Sequence, residues 1–313
     1  IKKGSNKTNF RKVDGRMIIT EPKVTGIWSD WTKKGNIAAM LRAAGTCSKR
    51  EISFDKWKNF CKKYIIEMKH YSILEHSVIF WIIEELSDKL KEYVKIYKFR
   101  DWREHLINSL APISDLMEKC AFCGSLRDLL ELNKKVEDKY NYILNECLKE
   151  DIMDNRIEGS AKIKEFSKDI YQIKLLIPRY SAMQMVRHRS ISWLCESSRA
   201  VDYTLEENNI CCVNNYNIFR NEIIYRTEKS FDDYKYRMTV GEPINDIYEL
   251  PNEVKSRFLP EYRGIHLIGT AHKDYWIDMI TKRSVGTHTQ EETEYVCQEI
   301  KKILIKGENN ENT

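Results

Sequence analysis

Between Phe54 and Lys69 the large apolar residues fall at steps of three and four: Phe54, Trp57, Phe60, Cys61, Tyr64, Ile65 and Met68. That period paints one face of a helix, so the spacing predicts an amphipathic helix over 54–69. Upstream, "NIAAMLRAAGT" over Asn36–Thr46 reads as another helix with a glycine near its end. Beyond Lys69 the period is lost. Ser77–Ile83 is a continuous apolar run, rich in β-branched and aromatic residues, and predicts a buried strand. Residues 1–25 are polar and basic and predict a frayed arm with an edge strand.

The pattern changes over residues 84–172, which are rich in lysine and glutamate with scattered Leu and Ile. This predicts a largely helical insertion into a compact core. Ile177–Met185 fits a strand or a helix. Residues 204–250 are irregular and polar, and Pro251–Phe258 reads as a short helix. His266–Lys282 and Thr289–Leu304 read as two longer helices with "SVGTH" as the turn between them. The expectation is one domain. Its core covers about 26–85 and 173–305, its insertion 86–172, and a disordered tail 306–313. No internal repeat is present.

Composition narrows the function classes. Of the 313 residues 42% are hydrophobic, enough for a real core, and the net charge is only +5. That excess is too small for a nucleic-acid face and leaves a phosphorylated small molecule as a fitting partner. No apolar run reaches the roughly 20 residues of a membrane span. Nine cysteines, an odd number with no secretory signal, predict reduced thiols in a cytoplasmic setting. Cys120 and Cys123 form a lone CxxC without a second ligand pair, so a buried helical pair is expected rather than a metal site.

The densest chemistry lies in "VRHRSISWLCESSRA", Val186–Ala200. Arginine presents a permanently charged planar fork that suits phosphate oxygens, and serine hydroxyls add neutral donors. Arg187 and Arg189 are too close in sequence to share a helix face, so they serve different partners. The stretch alone reads either as a solvated basic turn or as the junction of two anion sites. Short Arg/His clusters are common, which favours the turn.

Arg187-His188-Arg189, seven residues and then Ser197 resembles the signature of the flavin-dependent thymidylate synthases. Further segments resemble the same family in the same order. "MLRAAGTC" is similar to its early Arg-Ala-Ala helix, and His70, Ser72, Glu75 and His76 to its His-x-Ser/Thr-x-x-Glu-His run. Gln184 matches its glutamine before the signature, and "SRFLP" its arginine before Leu-Pro. Arg283 followed by Thr289, Gln290 and Glu292 resembles its last element. The likeness covers about 35–85 and 175–305, and the insertion has no counterpart in compact members.

The resemblance implies an α+β fold, a central mixed or antiparallel sheet flanked by helices, and a cytoplasmic homotetramer whose sites are each built from several subunits. It implies FAD as cofactor, with NADPH and 5,10-methylenetetrahydrofolate as co-substrates and dUMP as the nucleotide converted to dTMP. It assigns FAD contacts to Ser72, Arg187, His188 and Arg189, with His70 and Glu75 lining the flavin pocket and Cys195 beside it. His272, Asp274 and Asp278 stand at flavin-facing helix positions. Gln184, Arg187, Ser197, Ser198, Arg199 and Arg257 would hold dUMP, and Arg283 would be the catalytic arginine that polarises the pyrimidine. A step of three between Gln184 and Arg187 suits one helix face. No metal, nucleic acid or membrane partner is implied.

The chain departs from the family at Leu194, Cys195 and Ala200, and at Asp274 and Asp278. Phosphate-directed arginines are kept while ring- and flavin-facing positions change. Such a pattern fits a relative that methylates or hydroxymethylates dCMP or UMP, or a catalytically silent nucleotide- or flavin-binding homologue. Cys195 reads as a structural or flavin-neighbouring thiol rather than a nucleophile, and Trp193 as core rather than a stacking platform.

Overall fold

A computed structural model of the chain describes residues 18–82, 121–127, 168–197, 209–211, 261, 263–284 and 289–310. Its elements are β1 (Ile18–Thr20), β2 (Lys23–Trp28), α1 (Lys33–Ser48), α2 (Trp57–Phe60), β3 (Ile79–Ile82), β4 (Ala121–Gly124), β5 (Ile170–Pro178), α3 (Arg179–Met185), β6 (Ser192–Cys195), β7 (Asn209–Cys211), β8 (Gly264–His272), α4 (Lys273–Lys282) and α5 (Glu291–Asn310). The architecture is α+β. Strands β2, β5, β8 and β6 form, in that order, an antiparallel sheet flanked by helices. β1 pairs in parallel with β7, and β3 antiparallel with β4.

The two long central strands explain the whole layout. β5 and β8 pair over nine residues each, from Ile170 opposite His272 to Pro178 opposite Gly264. Ile173, Leu175 and Ile177 bury one face of β5, while Gln172 and Lys174 lie on the other. α1 lies over the face that carries Gln172 and Thr270, where Gln172 Nε2 donates to Ala39 O at 3.0 Å. α4 lies over the other face, with Trp276 fully buried. Two apolar clusters result, one around Ile173, Leu175, Leu267 and Trp276, the other around Met40, Ile65, Leu74 and Leu126.

Several expectations are corrected here. The run 54–69 is helical but composite: a 3₁₀ turn Phe54–Lys56, then α2, then a π-helical segment Cys61–Glu67. The wider π turn takes Met68 off the predicted face, and Met68 is 49% exposed. The strand expected at Ser77–Ile83 exists as β3 but pairs with β4 outside the central sheet. Ile177–Met185 is both strand and helix, divided at Pro178, whose fixed φ suits the residue before a helix. His266–Lys282 is not one helix: its first seven residues belong to β8, and the helix begins after His272. The segment around Cys123 is strand, not helix. α5 runs to Asn310, through residues whose composition predicted disorder. Most of the insertion, the helix expected at 251–258, most of 204–250 and most of the "SVGTH" turn lie outside the described residues.

Among the described residues, no helix is long and apolar enough to cross a membrane. Cys47, Cys61, Cys195, Cys211 and Cys297 are free thiols.

Candidate functional site

The signature arginines sit in a turn made by the end of one helix. α3 stops at Met185, and Val186 N–H closes its last turn on Ala182 O. His188 N–H then donates to Met185 O at 3.0 Å, and Ile191 N–H to His188 O at 3.2 Å, before β6 begins. Trp193 Nε1 donates to the same His188 carbonyl at 3.1 Å. Trp193 itself packs edge-on against Trp276, with ring centroids 5.4 Å apart. It is a core residue whose polar edge fixes the turn, as expected. Gly269 makes this contact possible, since a Cβ there would lie 2.6 Å from Trp193 Cζ3.

Arg283, at the C-cap of α4, reaches this turn. Its Nε donates to His188 Nε2 at 3.0 Å and its Nη2 to Gln184 O at 3.1 Å. Because Nε2 accepts, the neutral imidazole carries its proton on Nδ1. Burial pulls the His188 pKa below its ordinary value, and the Arg283 charge pulls it further the same way. Among the described residues no hydrogen bond of Arg283 Nη1 is seen beside those of Nε and Nη2. Gln184 Oε1 is a buried acceptor with no partner among the described residues. Arg187 and Arg189 flank the site, exposed and without an ion pair among the described residues. Gln184 and Arg187 do not share a helix face, because α3 ends between them.

The His70–His76 arm is a 3₁₀ helix, Tyr71–His76, packed under α1. His70 is exposed, with its ring edge-on to Tyr64 at 6.4 Å. Ser72 is half-buried. Glu75 is held in an ion pair by Arg127, a partner supplied from beyond β4. His76 is fully buried, with Nδ1 2.9 Å from Thr270 Oγ1, and burial pushes its pKa down to about 3. It is a neutral core histidine.

On the far side of β6, Ser197 N–H donates to Cys47 O at 2.9 Å, which docks the serine end of the motif on α1. Burial raises the Cys195 thiol, and the Glu196 charge raises it further, which disfavours a thiolate there. Glu196 is the residue the sequence reading passed over. Its buried carboxylate accepts from His266 N–H at 3.0 Å and from His266 Nδ1. Burial pushes this carboxyl up, but the His266 hydrogen bonds outweigh it and the net shift is downward. The only sequence signal was a carboxylate inside an otherwise cationic motif. Ser198, Arg199 and Arg257 lie outside the described residues.

Of the α4 positions that the resemblance assigns to the flavin, His272 is the N-cap, accepting from Asp274 N–H at 3.3 Å. Asp274 is exposed in the first turn, where a carboxylate opposes the helix dipole. Asp278 pairs with Lys282 at 2.7 Å. The fit to FAD is therefore divided. Exposed Arg187 and Arg189 and the orphaned Gln184 Oε1 suit an anionic, donor-bearing ligand, whereas Glu75, His272 and Asp278 are engaged within the chain.

No family model and no curated protein matches the chain. Among solved structures it is similar to the UMP/dUMP methylase PolB from Streptomyces cacaoi bound with 5-Br dUMP, at 15% identity. That likeness covers 46% of this chain and 72% of that one, with a TM-score of 0.36. The chain is also similar to the flavin dependent thymidylate synthase ThyX from Helicobacter pylori complexed with FAD and dUMP, at 11% identity. There the cover is 90% of this chain and 92% of that one, with a TM-score of 0.35.

Proposed function

We propose that the chain is a FAD-dependent enzyme that transfers a one-carbon unit from 5,10-methylenetetrahydrofolate to C5 of dUMP, with reduction by NADPH, giving dTMP. The observation that carries the reading is the convergence of Gln184, His188 and Arg283, residues about 100 positions apart, through two Arg283 hydrogen bonds. FAD, when bound, supplies the hydride. The chain's own residues bind and polarise. Arg283 is held rigid by two bonds and keeps Nη1 for negative charge that develops on the pyrimidine, where a preorganised donor is worth most. Neutral His188 keeps the guanidinium in place without repelling it. Gln184 Oε1 awaits a donor such as a ring N–H. Arg187 and Arg189 supply cationic contacts for the flavin and nucleotide phosphates. A cytoplasmic homotetramer, with sites shared between subunits, belongs to the same reading.

A second reading, a catalytically silent nucleotide-binding homologue, is favoured by the internal partners of Glu75, His272 and Asp278. One product assay separates them, and also tests dCMP and UMP. Labelled methylenetetrahydrofolate is supplied with FAD, NADPH and each nucleotide, and products are read by mass spectrometry. Labelled dTMP from dUMP supports the first reading. Methylated or hydroxymethylated product from dCMP or UMP alone makes the enzyme a relative of altered output. No flavin spectrum and no product leave the silent homologue. Arg283→Ala should lose turnover and keep FAD.

A further inference from the structure

On the α1 face of the sheet lies a concavity of about 960 Å³. That size falls in the range, roughly 300–1,000 Å³, of pockets that enclose nucleotide-sized ligands. It is separate from the Arg283 site. Lys174 and His266 line it, and β pairing puts both on the same face as Gln172 and Thr270. Gly269 and Trp276, which lead to Arg283, belong to the opposite face.

The walls are cationic. Arg42, Lys49, Arg50 and Lys174 line the cavity against a single carboxylate, Glu51. Arg42 is preorganised: its Nε donates to Gln172 Oε1 at 2.7 Å, and its guanidinium lies 4.3 Å from the Trp28 ring centre. Gln172 is itself fully buried and fixed on Ala39 O. Burial lowers the Arg42 pKa to about 10, against the Asp30 charge, and lowers that of Lys174 against Glu196 and Glu51, so desolvation outweighs the carboxylates near both cations. Lys49 ends α1 in the left-handed region at φ 52°, a position that favours glycine, and leads into the rim. At that rim Phe54 keeps an apolar ring 40% exposed. His266, oriented by Glu196, closes the wall nearest Ser197.

We infer that this concavity is a second ligand site, for a polyanion that carries a planar ring, a nucleoside diphosphate in size and charge. The cations take the phosphate oxygens and Phe54 takes the ring. The inference stands apart from the reading of the Arg283 site, since no residue is shared.

The test is calorimetric titration of the full chain with ADP and with pyrophosphate. ADP should bind, and pyrophosphate should compete. Lys174→Gln and Arg50→Gln should each weaken both probes about tenfold, as loss of one charge-assisted contact implies. Phe54→Ala should weaken ADP and leave pyrophosphate unchanged. Arg283→Ala should leave ADP binding intact, and that variant's lost turnover would belong to the other site. The proposal is overturned if wild type binds neither probe. It is also overturned if the Lys174 and Arg50 variants bind as wild type does, or if Arg283→Ala abolishes ADP binding.

Discussion

Arg283 donates from Nε to His188 Nε2 at 3.0 Å, and so ties the end of α4 to the turn after α3. The bond requires the histidine to be neutral, because a protonated ring offers no acceptor and would set two cations side by side. His188→Phe should therefore loosen Arg283 without unfolding the chain. The expected loss in turnover of dUMP is about 10- to 100-fold, with a smaller change in flavin affinity; the loss of a donor's preorganisation has this scale. Equal kcat for variant and wild type would remove His188 from the positioning role.

Gly269 should not tolerate a methyl group. Its Cβ would meet Trp193 Cζ3 at 2.6 Å and Trp276 at 2.7 Å, both in rigid, packed rings. Gly269→Ala should cost about 1–3 kcal/mol of stability, as overpacking does. Because Trp193 holds the His188 carbonyl, the same change should lower activity. Urea melts and steady-state rates on one preparation check both.

Acid should destabilise the fold through His76. Its folded pKa, about 3, lies below the unfolded value of about 6.5, so the unfolded chain binds the proton first. The contribution is complete above pH ~6.5 and declines by about 1.4 kcal/mol per pH unit as the pH falls towards the folded pKa. His76→Gln should flatten that acid limb. Denaturation midpoints measured between pH 7.5 and 4.5 give the slope.

Glu196→Ala should leave the His266 N–H and ring nitrogen without their acceptor inside the protein. A loss of about 1–3 kcal/mol is expected when a buried hydrogen-bond acceptor is removed and its donor is left unsatisfied. Glu196→Gln, which keeps an acceptor, should recover part of it in the same unfolding assay.

The sequence pointed to Arg283, His188 and Gln184 more directly than to the sheet. They were singled out because their spacing resembles a family pattern, and the chain brings these three together. The partners of Glu75 and Asp278 were not legible: Arg127 comes from a distant segment, and Lys282 was only one of many lysines. β8 was read as helix because Ile268, Ala271 and Tyr275 also satisfy helical steps. Burial on both faces erased the alternation that marks a strand. Residues 54–69 kept the helical period, but the π segment is set by packing and leaves no mark in that period.

Val78 precedes β3 and Ile170 opens β5, and two side chains, Trp31 before α1 and Asn36 in its first turn, fasten both points. Asn36 Oδ1 accepts from Val78 N–H at 2.7 Å, Asn36 Nδ2 donates to Trp31 O at 3.0 Å, and Trp31 Nε1 donates to Ile170 O at 2.9 Å. Val78 and Ile170 are thus clasped to the same short stretch of chain. Because loop-closure entropy grows only slowly with length, a change of length between them that spares the β3–β4 pair, Leu126 and Arg127 should leave the register of β5 where it is.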